Sequence, residues 1–222
     1  MPRQQQSAAR PVRRRSYDQF CATARALDAV GDRWTLLIVR ELLAGPRRYT
    51  DLHADLPGVS TDVLASRLRD MEQNGLAVRR RLPPPGAASV YELTGRGRGL
   101  MPVLAALAEW GAPELAERRP TDAVRAHWFA LPLLRALDGL SHAGTVEVRL
   151  DEGRFHVRAG DVESGSPVYG DGPAVRADVC IALDAEVCLE LAHGGLSLAE
   201  AVGGGRVEVS GEGPLATELR GG

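Results

Sequence analysis

The sequence predicts an α+β protein made of two units. Residues 17–113 read as a mostly helical unit carrying one β-hairpin, and residues 121–222 as a small α+β domain with an antiparallel sheet. Three observations lead there. Apolar residues recur at three- and four-residue spacing through much of the first hundred positions. Four later segments, "TVEVRLDEG", "RFHVRAG", "ADVCIALD" and "GRVEVSG", alternate with period two between Gly, Asp and Ser. Between the two patterns, "APELAERRPTD" breaks both and marks the linker.

The elements follow in order. Residues 1–16, "MPRQQQSAARPVRRRS", hold almost no large apolar side chains and read as a flexible basic arm. A short helix runs from Cys21 to Val30 and stops before Gly31. Asp32 stands where an N-cap belongs, and "RWTLLIVRELLAG" follows as a central helix closed by Gly45 and Pro46. "RRYTDLHADLPG" offers Thr50 as the cap of a short helix ending at Pro57 and Gly58. The next helix starts at Ser60 or Thr61, buries Leu64, Leu68 and Met71, and stops at Asn74 and Gly75. "LAVRRRL" and "VYELT" around "PPPGAAS" then form a hairpin. Three helices, the last two joined by a tight turn and followed by a hairpin, have the order of a winged helix.

Beyond the hairpin, "GRGRG" at residues 95–99 reads as a flexible lead into a helix whose stripe is Leu100, Val103, Leu104, Leu107 and Trp110. Nothing upstream covers that stripe, so a second subunit is its expected partner. "AVRAHWFALPLLRALDGL" reads as a helix interrupted at Pro132. In the last third, "AEVCLELAHGG" and "SLAEAVGGG" are two short helices inserted ahead of the final strand.

Composition narrows the function. With 222 residues, 44% hydrophobic and 25% charged, the chain is ordinary for a globular protein. No apolar run nears the roughly 18 residues of a membrane span, and the N-terminus lacks the apolar core of a secretory signal, so a cytoplasmic location is expected without membrane contact. Cys21, Cys180 and Cys188 form no CxxC pair, and C-x7-C-x4-H over Cys180, Cys188 and His193 fits no common zinc spacing. No nucleophile elbow or other catalytic grouping stands out, so neither a metal, a cofactor nor a catalytic residue is expected. Charge is divided: residues 1–120 hold 19 Arg against 13 carboxylates, and residues 121–222 hold 8 against 16. All 27 basic residues are Arg, whose planar fork suits phosphate and guanine edges.

That charge gives the helix beginning at Ser60 a candidate role on double-stranded DNA. Arg47 and Arg48 precede it, and Arg79, Arg80 and Arg81 follow in the hairpin, where they can neutralise phosphates. The N-terminal half would offer Thr61, Ala65, Ser66 and Arg69 to base edges, with Arg67 nearer the backbone. Asp62 either accepts from cytosine N4 or serves only the helix terminus.

Cys21 to Gly111 resembles the HxlR family of winged-helix transcriptional regulators. The resemblance rests on a leading Cys, "G-x-x-W-T-L-L-I", "G-P-R-R-Y", "L-P-G-V-S", "V-L-x-x-R-L", "Y-x-L-T" and a closing "E-W-G". It implies a homodimer on operator DNA, held through the Leu100 to Trp110 stripe and the first helix with Leu27, with half-sites about 10 base pairs apart. It also marks Cys21 as a candidate redox sensor. Ala177 to Leu215 resembles the last portion of sterol carrier protein type 2-like domains, which implies an apolar small-molecule ligand. Two alternatives stand for this half: a purely structural or oligomerisation module, and a cryptic enzyme domain.

Overall fold

The computed structural model describes residues 16–84, 88–115, 118–160 and 167–221. All of the basic arm but Ser16, and the hairpin tip at residues 85–87, lie outside them. Helices α1 (Ala22–Val30) and α2 (Thr35–Leu43) open the chain. Asp32 accepts from the backbone N–H of Trp34 at 2.7 Å and of Thr35 at 3.1 Å, satisfying donors that the first turn of α2 leaves free. Then come β1 (Arg47–Arg48) and α3 (Tyr49–Asp55). Thr50 is not the cap of α3: the cap position is Arg48, two residues earlier, and the Asp51 carboxylate accepts from Arg48 N at 3.2 Å.

The predicted start and stop of α4 (Thr61–Gln73) hold. Ser60 Oγ accepts from Val63 N at 3.3 Å, and Gly75 follows Asn74 with φ +65°, the left-handed conformation that glycine adopts without cost. Strands β2 (Ala77–Arg81) and β3 (Ser89–Leu93) pair antiparallel, with Arg79 opposite Tyr91. The wing has a third strand, because β1 joins the free edge of β3.

"GRGRG" is not a flexible lead. Its first four residues are α5 (Gly95–Arg98), a packed turn in which Thr94 Oγ1 accepts from Gly97 N at 3.1 Å. Gly97 is required there, since a Cβ would collide with the Leu76 carbonyl oxygen. Helix α6 (Met101–Gly111) then splits the expected stripe. Leu104 is buried, at 7% exposure, and Leu100 packs half-buried on the core, whereas Val103, Leu107 and Trp110 face outward at 45%, 44% and 81%. The stripe therefore serves two surfaces, and Leu104 belongs to the chain's own core.

After 3-10 turns at Ala112–Leu115 and Ala126–Phe129 comes α7 (Ala130–Ala136). Pro132 does not interrupt it: proline sits in the first turn, where its missing N–H is no loss. The sheet that follows contains β4 (Gly144–Leu150), β5 (Gly153–Ala159), β6 (Tyr169–Asp171) and β7 (Val179–Ala182). Helices α8 (Ala185–His193) and α9 (Leu198–Gly203) precede β8 (Glu208–Gly211), and α10 (Pro214–Leu219) ends the fold.

The five strands lie in the order β6-β5-β4-β7-β8, and β4 runs parallel to β7, with Val146 opposite Val179. The sheet is mixed, not antiparallel as expected. Alternation has period two in either direction, so the residue pattern carries no information on strand sense. Buried apolar side chains of both halves form one cluster, from Ile38, Leu64 and Leu68 to Phe155, Val157 and Ile181. Across the join, α6 packs on α7, and Arg135 meets Glu109 at 2.6 Å.

Candidate nucleic-acid interface

Helix α4 presents two faces because its apolar residues recur at i, i+4 and i+7. Leu64, Leu68 and Met71 are at most 1% exposed and anchor it. Tyr49 adds a polar brace, its hydroxyl donating to Thr61 O at 2.7 Å. On the other side Thr61, Asp62, Val63 and Arg69 are exposed, while Ala65 and Ser66 are half-buried. Val63, 39% exposed, stands outside the apolar register, and the sequence reading passed it over. Its two methyls in the first turn suit the apolar edge of a thymine.

Ser60, a predicted DNA contact, spends its hydroxyl on the helix cap. Asp62 is thereby relieved of capping and sits exposed in the first turn, where its charge opposes the positive end of the helix dipole.

The arginines separate into paired and unpaired sets. Arg67 is clamped to Asp32 and reaches Asp70 at 3.0 Å, fixing the start of α2 to the middle of α4. Burial raises the Asp32 carboxyl, but the Trp34 N–H and the Arg67 guanidinium outweigh it and hold the group below its ordinary range. Arg47 is drawn the other way, to Asp171 at 3.1 Å and Asp55 at 3.9 Å, and its side chain is only 16% exposed. Arg47 and Arg67, both expected at DNA, are thus each paired with carboxylates of the chain itself. Arg80 grips Glu92 through three contacts of 3.0–3.2 Å on the wing. Arg48, Arg69, Arg79 and Arg81 are exposed and form no ion pair among the described residues, with Arg79 lying 6.0 Å over the Tyr91 ring.

Exposed apolar side chains occur on two other helices: Leu27 on α1 is 45% exposed, and Val103, Leu107 and Trp110 on α6 are exposed as well. Phe20 and Leu115 are exposed as well and were not foreseen. Cys21 is exposed at the start of α1, where the backbone N–H groups of Ala24 and Thr23 hold its thiol below the ordinary value. Arg25, one turn on, lies 3.8 Å from Asp28. Cys188 is the opposite case: burial pushes it up to about 12. Among the described residues no group of three or more His, Cys, Asp or Glu could hold a metal, and no helix is long and apolar enough to cross a membrane.

A cleft of about 680 Å3 opens beside the contact between α6 and the second half. Met101, Pro102 and Ala105 line one wall, and Leu131, Leu134 and Leu137 the other.

A family model described as an HxlR-like helix-turn-helix covers residues 29–119. The uncharacterized HTH-type transcriptional regulator YvaP of Bacillus subtilis is 36% identical over 86 residues, which are 39% of this chain and 80% of that protein. The HTH-type transcriptional regulator YodB of the same organism is 34% identical over 85 residues, 38% of this chain and 76% of the other. The solved reduced form of YodB aligns at 31% identity and a TM-score of 0.39, covering 47% of this chain and 100% of that one.

Proposed function

Because the chain belongs to the HxlR-like helix-turn-helix family of transcriptional regulators, we propose that it binds operator DNA as a homodimer, reading sequence through the N-terminal half of α4. The observation that carries this reading is the exposed surface of Thr61, Val63 and Arg69 with half-buried Ser66, bordered by Arg48, Arg79 and Arg81, which form no ion pair among the described residues. Side chains of α4 address base edges, and the arginines hold phosphates. Exposed Leu27, Val103, Leu107 and Trp110 form the dimer contact, which sets two copies of α4 about 10 base pairs apart. Selection from a pool of random duplexes of about 30 base pairs tests it: an inverted repeat with half-sites one helical turn apart is the expected product. Recovery of duplexes without a shared sequence overturns it.

The second half is proposed to resemble sterol carrier protein type 2-like domains and to take an apolar small molecule in the cleft between α6 and α7. The order β7, α8, α9, β8 supports the resemblance, and the position of the cleft against α6 supports a link from ligand to dimer. Long-chain fatty acids are the probe: a raised unfolding temperature supports the reading, because a ligand that prefers the folded state must stabilise it. Cys21 is proposed as a thiol sensor, supported by its exposure and lowered pKa. Loss of DNA binding under peroxide, absent from Cys21→Ser, is the expected result.

A further inference from the structure

The two halves meet over a buried chain of charges that DNA contact does not use. His127, in the turn before α7, is 2% exposed, and its ring lies between two carboxylates. Nε2 is 2.6 Å from Glu41 Oε2 on α2, and Nδ1 is 3.2 Å from Asp171 Oδ1 on β6. The other oxygen of Glu41 accepts from Arg40 Nε at 2.8 Å and from Trp128 Nε1 at 2.9 Å, and Arg40 stacks 4.2 Å over the Trp128 ring. The other oxygen of Asp171 accepts from Arg47 at 3.1 Å, and Arg47 also approaches Asp55. Tyr169, beside Asp171, donates its hydroxyl to Arg40 O at 2.7 Å. At the rim, Arg125 reaches Asp55 and Ala54 O at 3.2 Å each.

Hydrogen-bond chemistry decides the state of the ring. Ionised carboxylates only accept, and a neutral imidazole has one N–H. With Glu41 at one ring nitrogen and the Asp171 carboxylate 3.2 Å from the other, the arrangement favours the imidazolium. Burial works against the charged ring, but its hydrogen bonds to Asp171 and Glu41 and their two charges outweigh burial and raise His127 to about 8. Burial likewise raises Glu41, and the His127 hydrogen bond with the Arg40 charge brings it below its usual range. The His127 hydrogen bond holds the Asp171 carboxyl well below its usual range against burial.

We propose that Glu41, His127, Asp171 and Arg47 form a proton-held clasp, in which protonated His127 fixes the second half to α2 and to β1 of the wing sheet, and loss of that proton uncouples the halves. A neutral ring leaves one carboxylate facing a lone pair instead of a donor, a repulsive contact at a ring that is only 2% exposed. Because the folded value of His127 lies above its ordinary 6.5, its stabilisation is complete below 6.5 and disappears as pH rises through about 8. Glu41 and Asp171, both lowered, contribute above the ordinary carboxylate range and fail only in acid.

The test uses the full-length protein. Nitrogen-15 NMR of the histidine rings should show His127 protonated at both nitrogens at about pH 6.5, titrating well above an ordinary histidine. Calorimetry should show one cooperative unfolding transition at about pH 6.5 that falls and broadens, or divides, by about pH 9. His127→Gln should lose that pH dependence. Asp171→Asn, which keeps the shape of the cluster, should move the His127 midpoint to lower pH and serves if His127→Gln does not fold. A singly protonated ring at about pH 6.5, or an Asp171→Asn midpoint equal to that of the wild type, overturns the clasp.

Discussion

At the scale of single residues, two neighbouring arginines on α4 have different work. Arg69 is exposed and unpaired, whereas Arg67 ties Asp32 to Asp70. Arg69→Ala should leave the unfolding temperature unchanged and relax selectivity at one base position, with a loss of about 1–3 kcal/mol for the preferred base in competition binding. Arg67→Ala should instead lower thermal stability, by about 1 kcal/mol or less because the pair is 30% exposed on each side. Gly97→Ala forces a methyl onto the Leu76 carbonyl and should cost about 1–3 kcal/mol in denaturant unfolding. The pairing of Arg67 was hidden because Asp32 is 35 positions away, and residue type alone made both arginines look alike. The pairing of Arg47 was hidden for the same reason, its partner Asp171 being 124 positions distant.

At the scale of elements, the helices were legible where caps and period agreed. Helix α4 announced itself by Ser60 at its start, Leu64, Leu68 and Met71 on one face, and Asn74 and Gly75 at its end. Strands β1 and β6 were not legible, having two and three residues, too few to show alternation. Helix α6 was legible in position and misread in part: its apolar residues wrap around more than one side, and burial alone separates the inward Leu104 from the outward Leu107 and Trp110. That division gives a discriminating pair of variants. Trp110→Ser should shift the protein toward monomer in sedimentation velocity with its fold retained. Leu104→Ala should cost about 2–5 kcal/mol of stability through the cavity it leaves.

At the scale of the whole molecule, one apolar cluster spans both halves, and a cluster of charged side chains around Glu41 lies where they join. Glu41 is the keystone of that join, fully buried and bonded to Arg40, His127 and Trp128. Nothing near Glu41 in sequence signalled this, because its histidine partner lies 86 positions away and a single carboxylate in an apolar helix has no local signature. Glu41→Ala strands two cations in a low-dielectric site and should cost about 3–5 kcal/mol in calorimetry. DNA binding itself is tested most directly by the salt dependence of affinity for a selected duplex. The logarithm of the binding constant should fall linearly with the logarithm of salt concentration, and Arg79→Ala and Arg81→Ala should each lower the slope by about one. A flat salt dependence, or a slope that neither substitution changes, would contradict binding through α4 and the wing.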